Sequence, residues 1–360
     1  MPSAEHAERT EPTEPTATDH GSDAAAAGGA ALTVLALDIG GTKITAARVR
    51  IAPDRSRAEV LEEATVPTPA REGARAVLEA ALDAASHVTG DPSGSGSRAG
   101  GASRTGVASR AGVADDRLSA VGISTAGVVD VARGEITHAT SSLPGWPGTR
   151  VAAAFTERFA LPARALNDVH AHGLGEALFG TGRDASSLLL VAVGTGIGGA
   201  QVVDGRPVVG VRGAAGHVGH VTVPEAASVP CTCGRVGHLE GLASGPGILD
   251  LARRLGADAA QCADGPALAA AARAADGPAR EAYRLAGLAT GRVIGSLLNV
   301  LDAETVALAG GVVGASKVWD DALRQGVARE AMDVVAATPV VRARAGSRAA
   351  LLGAAAWAIS

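Results

Sequence analysis

The sequence is poor in aromatic residues and cysteine, and it carries no excess of positive charge. Phe, Trp and Tyr make up 2% of the 360 residues although 47% are hydrophobic, so the core must be built from Ala, Val, Leu and Ile. The formal net charge of -5 gives no basic footprint for nucleic acid, and we expect no such partner. Three cysteines are too few for a disulfide scaffold and fit a reducing cytoplasm.

Long apolar runs that could enter a membrane are also missing. The apolar run over residues 24–37 follows an acidic segment, whereas a signal peptide begins with a basic one. The apolar segment 295–313 contains Asp302 and Glu304, which argues against a membrane span. We therefore expect a cytoplasmic protein without a membrane partner.

The chain begins irregularly and then follows an α/β pattern. Residues 1–30 are rich in Thr, Pro, Glu and Ala without periodicity, which predicts a disordered tail. The Gly- and Ser-rich residues 91–114 predict a flexible insertion, without a role of its own, between a helix near 71–88 and a strand near 118–124. Apolar periodicity predicts further helices over 149–161 and 282–301.

One strand–glycine turn–strand unit occurs twice. "LTVLALDIGGTKITAARVRI" shows the plan first, and "SLLLVAVGTGIGGAQVVDGRPVVG" repeats it with a hairpin turn at Asp204-Gly205. "GTGIGG" at 194–199 matches the dinucleotide fingerprint G-x-G-x-x-G, but a strand follows where that fingerprint requires a helix, which excludes it. A P-loop motif is absent from the sequence. A third strand, "ETVALAGG", also ends in paired glycines.

Glycine turns of this kind suit phosphate, because backbone N–H groups can approach an anion closely there. Asp38 precedes the first turn, and a carboxylate at a strand end suits Mg²⁺ carried with phosphates. The same turns fit tight hairpins that bind nothing, and repetition of the unit favours the phosphate interpretation.

Five segments together resemble the ROK family of sugar kinases and repressors. They are, in order, "LALDIGGTKITAARV", "LNDVHAHGLGEALFG", "VAVGTGIGGA", "GHVGHVTV" with "CTCGRVGHLEGLASGPGI", and "VALAGGVV". The resemblance covers roughly residues 32–358 and implies the actin-like ATPase (ribonuclease H-like) α/β fold, with nucleotide and sugar in a cleft between two lobes. The implied lobes are residues 31–150, completed by a C-terminal helix over 346–360, and residues 151–345. Repressor members carry an N-terminal helix-turn-helix, for which residues 1–31 are too short and irregular.

The resemblance also implies cofactors, partners and site residues. Mg²⁺ and the phosphates of ATP would be held by Asp38, Gly40, Gly41, Thr42, Lys43, Gly194, Thr195, Gly196 and Gly198. Gly310 and Gly311 would lie near the adenosine. Asp168 would be the catalytic base that accepts the proton of a sugar hydroxyl, and Asn167, Gly127 and Glu240 would lie at the sugar. Taken alone, the pair Asn167-Asp168 also fits a helix N-cap. Members of the family commonly form homodimers.

A His- and Cys-rich segment predicts a metal site. His220, Cys231, Cys233 and His238 supply the four N and S ligands that tetrahedral Zn²⁺ requires. The family pattern has a third cysteine where this chain has His238, which is still a competent ligand. All four ligand positions are filled by protein, so the zinc would be structural and would hold the sugar-facing loop.

His217 stands where glucose-type members of the family carry a glutamate. Ionised Glu only accepts hydrogen bonds, whereas neutral His brings one donor and one acceptor, and a 2-acetamido carbonyl needs a donor. The exchange predicts an N-acetylhexosamine substrate, and the segment resembles that of bacterial N-acetylmannosamine kinases. His220 would serve both zinc and sugar. Ser142 replaces a family Asn, and one polar contact would be lost there.

We therefore expect an ATP-dependent sugar 6-kinase that acts on N-acetylmannosamine. The alternatives are a glucokinase and a non-enzymatic sugar sensor or regulator of the same fold. His170 and His172 match no functional position of the family and are predicted to be surface or packing residues.

Overall fold

The computed structural model describes residues 30–90, 103–104, 117–139 and 143–360. Its strands are β1 (Leu32–Ile39), β2 (Lys43–Ile51), β3 (Ala58–Pro67), β4 (Ser103–Arg104), β5 (Leu118–Thr125), β6 (Val128–Asp130), β7 (Glu135–His138), β8 (Ala163–Asn167), β9 (Ser187–Val193), β10 (Ile197–Val203), β11 (Arg206–Pro207), β12 (Thr305–Ala309) and β13 (Val340–Arg342). Its α-helices are α1 (Ala74–Thr89), α2 (Val151–Phe159), α3 (Asp168–Phe179), α4 (Leu239–Ala243), α5 (Gly245–Arg254), α6 (Gly265–Ala274), α7 (Pro278–Leu301), α8 (Lys317–Glu330) and α9 (Ala349–Ala358).

Two sheets share one plan. The first has the order β4-β3-β2-β1-β5-β8, and the second has the order β11-β10-β9-β12-β13. In each sheet an antiparallel meander is extended by two parallel strands. The twofold repetition predicted from the glycine turns is therefore confirmed, and β10 after the second turn confirms that no Rossmann helix follows it.

The register of the first sheet brings polar residues together at one edge. Asp38 on β1 lies opposite Ser124 on β5, and Thr125 on β5 lies opposite Asn167 on β8. The three strands are parallel, so their carboxyl ends meet where the chain leaves the sheet. β8 follows the predicted lobe boundary at residue 150, yet it completes the first sheet.

Helices α3 and α9 pack against each other at backbone contact. A Cβ added at Gly353 would lie 1.8 Å from the carbonyl oxygen of Ala171, and one added at Gly175 would lie 2.0 Å from that of Ala349. α9 also packs on β1 and β5. This C-terminal helix therefore lies on the first sheet while α3 leads from that sheet towards β9 and β10.

A buried carboxylate fixes the end of α3. Glu176 is fully buried and accepts hydrogen bonds from the backbone N–H groups of Thr181 (3.0 Å), Arg344 (3.0 Å) and Ala345 (2.8 Å). Arg344 and Ala345 lie just before α9, so this one side chain joins the C-terminal end of α3 to the approach of α9.

Small aliphatic residues dominate the core, as the composition predicts. The few aromatics are used as large fillers, with Trp146, Trp319 and Phe155 at 0% exposure. The predicted helices near 71–88, 149–161 and 282–301 correspond to α1, α2 and α7, and the strand near 118–124 is β5.

Some predicted segments are only partly described. The tail up to residue 29, Ser142 and most of the insertion 91–114 lie outside the described residues. Within the insertion, Ser103–Arg104 pairs with β3 as the edge strand of the first sheet. None of the helices in the described part of the chain combines the length and apolar character needed to cross a bilayer.

Candidate active site

Asp38 occupies the end of β1, where the first glycine turn begins. Its Oδ1 accepts a hydrogen bond from Ser124 Oγ at 2.7 Å, across the parallel β1–β5 pair. Burial raises the pKa of this carboxyl above its ordinary value, while the Ser124 hydrogen bond and the positive charge of Lys43 act in the opposite direction. A cation next to Asp38 would relieve this penalty, which is the behaviour expected of a Mg²⁺ ligand.

Asn167 and Asp168 combine the two predicted roles at one helix start. Asn167 is the N-cap of α3, and its Oδ1 accepts from the backbone N–H of Val169 at 3.1 Å. Its amide Nδ2 donates to the carbonyl of Gly127 and to Asp168 Oδ1, both at 2.8 Å. Asn167 therefore caps helix α3 and orients the Asp168 carboxylate. It also links the start of α3 to the turn at Gly127.

Asp168 is the candidate general base of the site. Burial and the neighbouring charge of Asp38 raise the pKa of the Asp168 carboxyl to about 6. Hydrogen bonds from Val169 N–H and Asn167 act in the opposite direction and lower this pKa. The residue is half-buried and keeps part of its surface exposed. A carboxylate with a pKa near 6 is ionised at neutral pH and still basic enough to accept a hydroxyl proton during a reaction.

The two glycine turns differ in how they are held. In the first, Gly40 N–H donates to Lys43 O at 3.0 Å, Thr68 Oγ1 donates to Gly40 O at 2.7 Å, and the side chains of Thr42 and Lys43 are exposed. The first turn thus presents a cation and a hydroxyl to the solvent.

The second turn is anchored to helix α5. Gly194 N–H donates to Gly196 O at 2.9 Å, and Gly194 O accepts from Gly245 N–H at 2.8 Å. A Cβ at Gly198 would lie 2.9 Å from Val169 Cγ2, so this turn packs against the residue that follows Asp168. The second turn and the candidate base are therefore neighbours.

A cavity of about 650 Å³ opens beside the second turn. Its lining comes from the turn itself, from the segment after β12 and from helices α5, α6 and α7, and comprises Gly194, Thr195, Gly245, Pro246, Ile248, Leu249, Gly265, Pro266, Leu268, Ala269, Arg273, Tyr283, Gly311, Val312, Gly314 and Ala315. Gly310 precedes the lining residue Gly311 and has a φ of +96°. A Cβ added at Gly310 would lie 2.2 Å from Val193 O, so this position admits only glycine. The volume and mostly apolar lining suit an adenosine.

The sequence predicts only part of this cavity. Gly194, Thr195 and Gly311 were predicted, whereas the helical residues of the lining were not. A local signal does exist: Gly245-Pro246 and Gly265-Pro266 each open a helix at the cavity wall.

The predicted metal ligands converge. The ligand atoms of His220, Cys231, Cys233 and His238 all lie within 4.8 Å of one another. Cys231 Sγ is 3.5 Å from His220 Nδ1, and Cys233 Sγ is 3.2 Å from His238 Nδ1. Tetrahedral Zn²⁺ with Zn–S and Zn–N bonds of its usual lengths requires S···N separations of about 3.5 Å. Both the donor set and its spacing therefore fit zinc.

His217 and His220 lie next to each other on the loop that leads to the metal ligands. Their rings stack with centroids 5.9 Å apart. His217 Nδ1 is 2.9 Å from the carbonyl oxygen of Ala214, and a carbonyl can only accept, so Nδ1 carries the proton. In this tautomer Nε2 is an acceptor, whereas the sequence predicts that His217 supplies a donor to the sugar.

The same loop is packed against three parts of the site. Gly199 N–H donates to Gly216 O at 2.7 Å on β10. His170 Nε2 donates to Ala215 O at 2.8 Å from α3, and a Cβ at Gly213 would lie 2.1 Å from Val129 O on the β6–β7 hairpin. His217 is thereby brought next to the start of α3 and the turn at Gly127.

Glu240 lies between the metal ligands and the second glycine turn. Its Oε2 accepts from Ile197 N–H at 2.8 Å, and its Oε1 accepts from Thr232 Oγ1 at 2.6 Å. A sugar hydroxyl would have to use the remaining lone pairs of this carboxylate.

The two histidines of α3 behave differently. His170 is buried and bonded to the loop carbonyl described above, as a packing residue. His172 is half-buried, and its Nε2 has no hydrogen-bond partner among the described residues. Burial lowers the pKa of His172, while the charges of Glu176 and Asp38 act to raise it.

The chain is similar to proteins of one family, among them two sugar kinases. Residues 106–360 match the profile of the ROK family. A glucokinase of Halalkalibacterium halodurans is 37% identical over 135 residues, which are 38% of this chain and 40% of that protein. An N-acetylmannosamine kinase of Escherichia coli O139:H28 is 30% identical over 236 residues, which are 63% of this chain and 67% of that protein.

Two further similarities bear on fold and function. A xylose repressor of Caldicellulosiruptor bescii is 31% identical over 135 residues, which are 38% of this chain and 33% of that protein. The crystal structure of a ROK hexokinase from Thermus thermophilus superposes with a TM-score of 0.72 at 30% identity, covering 91% of this chain and 98% of that one. The matched segment spans less than half the length of the glucokinase and of the repressor.

Proposed function

Since the chain belongs to the ROK family and has its actin-like ATPase fold, we propose that it is an ATP- and Mg²⁺-dependent sugar 6-kinase whose preferred substrate is N-acetylmannosamine. The observation that carries the kinase proposal is Asp168, a carboxyl with a pKa of about 6 placed between Asp38 and the second glycine turn. A sensor of sugars would have no need for a base poised in this way.

The proposed reaction needs little covalent chemistry from the protein. ATP would lie with its adenosine in the cavity at Gly311 and its phosphates between the two glycine turns. As the 6-hydroxyl oxygen forms a bond to the γ-phosphorus, the bond to the ADP oxygen breaks and the hydroxyl proton passes to Asp168. Mg²⁺ bound with the nucleotide supplies charge neutralisation, and Asp38 is the residue that would hold it.

In the proposed site the sugar is held by the residues around Asp168. Asn167 and Gly127 form one wall, and His217, His220 and Glu240 form the other. Zn²⁺ would be held by His220, Cys231, Cys233 and His238 and would have a structural task, because it fixes the ring of His220 and the loop that carries His217.

The preference for N-acetylmannosamine is supported by charge and by acceptor number. Where glucose-type relatives have a carboxylate, His217 in this tautomer offers one acceptor, Nε2, and no negative charge. One acceptor cannot bind both hydroxyl groups at C1 and C2 of a free hexose as a carboxylate does. The acceptor Nε2 can accept from the N–H of an acetamido group, whereas the negative charge of a carboxylate would repel the carbonyl oxygen of that group. A match to an N-acetylmannosamine kinase over 63% of the chain supports the same assignment.

The test is ADP release with N-acetylmannosamine, N-acetylglucosamine and glucose side by side, with D168N as the inactive reference. We expect N-acetylmannosamine to give the highest kcat/KM. H217E should raise the kcat/KM for glucose relative to N-acetylmannosamine about tenfold or more, whereas the neutral control H217Q should not. Glucose as the best substrate of the wild type would favour a glucokinase. Sugar binding without ADP release would favour a regulator, which the similarity to a xylose repressor keeps as the alternative.

The homodimer implied by the resemblance stays a prediction. Light scattering after size-exclusion chromatography tests it directly, since the monomer mass is 35.3 kDa.

A further inference from the structure

Thr232 connects the metal cluster to the nucleotide side of the site. It is the single residue between the ligands Cys231 and Cys233, and its Oγ1 donates to Glu240 Oε1 at 2.6 Å. The other oxygen of Glu240 accepts from the backbone N–H of Ile197 at 2.8 Å. Ile197 is the first residue of β10, directly after the second glycine turn. The carboxylate of Glu240 therefore joins the Cys-x-Cys segment to the second glycine turn.

The connection is short and closely packed. A Cβ at Gly196 would lie 2.9 Å from Glu240 Oε2, so the carboxylate lies directly against the glycine turn. Glu240 lies in the first turn of α4, and Leu239, the first residue of this helix, is fully buried. The helix holds the carboxylate on one side, and the position of Thr232 decides whether its Oε1 is bonded.

Metal binding would fix Thr232. When both flanking thiolates are bound to one ion, the peptide between them loses its freedom, and the Thr232 hydroxyl is held towards Glu240. Without the ion, the loop can move, and the hydrogen bond that orients Glu240 against Ile197 is lost for part of the time. The second glycine turn is then held less firmly, because Glu240 is less well oriented against Ile197.

We infer that Thr232 is a positioning residue through which metal occupancy sets the affinity of the second glycine turn for nucleotide. The inference rests on the proposed function, because it takes this turn to be the nucleotide site. Coupling of this kind is reciprocal: the ion strengthens nucleotide binding by the same factor by which the nucleotide strengthens binding of the ion.

The experiment measures binding of Mg²⁺–ADP by isothermal titration calorimetry, with zinc-loaded and chelator-treated protein. In the wild type, removal of zinc should weaken ADP binding about 3- to 10-fold, which lies within the range expected for the loss of one ordinary hydrogen bond. T232V keeps the shape of the side chain and removes the hydroxyl. With zinc bound, it should show the same weakening, and chelation should then add little. T232S keeps the hydroxyl and should behave as the wild type.

Metal content and circular dichroism of each variant are measured on the same samples, so that loss of zinc or of folding is not mistaken for loss of coupling. If zinc-loaded T232V binds ADP as tightly as the wild type, the inference is wrong. It is also wrong if chelation weakens the wild type and T232V by the same factor. If wild-type protein binds no ADP in either state, the proposed function itself fails, which is a different result from the first two.

Discussion

Replacement of Asp168 by Asn should abolish turnover and make the unliganded protein more stable at neutral and alkaline pH. The carboxyl has its pKa raised to about 6 from an ordinary value of 3.8, with burial as the larger cause and the charge of Asp38 as the second. Such a group opposes folding in its charged form. The preference of the folded state for the protonated carboxyl stabilises the protein fully below pH 3.8. This stabilisation is lost as the pH rises through about 6.

The size of the effect follows from the same values. Moving the pKa from 3.8 to about 6 corresponds to about 3 kcal/mol in the free energy of unfolding, at roughly 1.36 kcal/mol per pH unit. Asp168 is half-buried, so solvent screening lowers the expectation to about 1–2 kcal/mol. The Asn side chain keeps an oxygen that can accept from Val169 N–H, and the substitution therefore removes the charge with little loss of hydrogen bonding.

Urea unfolding of wild type and D168N at pH 8, 6.5 and 5 measures this difference. We expect D168N to be the more stable protein at pH 8 and its advantage to decrease steadily towards pH 5. D83N makes the same chemical change at an exposed position of α1 and should leave stability unchanged. A D168N protein that is no more stable than wild type at pH 8 would refute the argument from burial. In the wild type, kcat/KM should fall as the pH drops through about 6, because the base becomes protonated.

Three other substitutions test the junction of α3 with the approach to α9, the glycine beside the cavity and the metal cluster. E176Q should lower the free energy of unfolding by about 2–3 kcal/mol in urea titrations, because an amide cannot accept all three backbone N–H groups that the carboxylate binds. G310A should weaken ADP binding more than tenfold in calorimetry, since the added Cβ would lie 2.2 Å from Val193 O, whereas G256A, also at positive φ but with open space around it, should not. C231S should reduce zinc content measured by plasma mass spectrometry and lower the thermal midpoint by several degrees; unchanged zinc content would contradict the assigned ligand set.

The sequence alone predicts those features that depend on local patterns. Strands flanking the glycine turns, the Asp204-Gly205 hairpin and the long helix α7 are all confirmed, because each depends on apolar periodicity or turn chemistry within a few residues. The family resemblance and its fold are confirmed as well, since they depend on motifs in a fixed order. Convergence of the four metal ligands follows from the same motif.

Features that depend on distant parts of the chain were not predictable. Arg273 and Tyr283 line the cavity beside the second glycine turn from α6 and α7, and no sequence motif surrounds either residue. β8 joins the first sheet through a parallel pair with β5, and a five-residue apolar segment does not indicate its sheet. The proton of His217 is placed by the carbonyl of Ala214, which depends on the path of the loop backbone.

The backbone contact between α3 and α9 has a consequence for how this protein tolerates mutation. In most cores the damaging changes remove atoms and leave cavities. At this contact the damaging change is the addition of a single methyl group, because a Cβ added at Gly175 or Gly353 would lie 2.0 Å or less from a carbonyl oxygen of the other helix or its first residue. Gly122 on β5 faces the Ala354 carbonyl of α9 at 2.0 Å in the same way. A systematic substitution scan should therefore find alanine, the mildest replacement at most helical positions, among the poorly tolerated residues at Gly175 and Gly353.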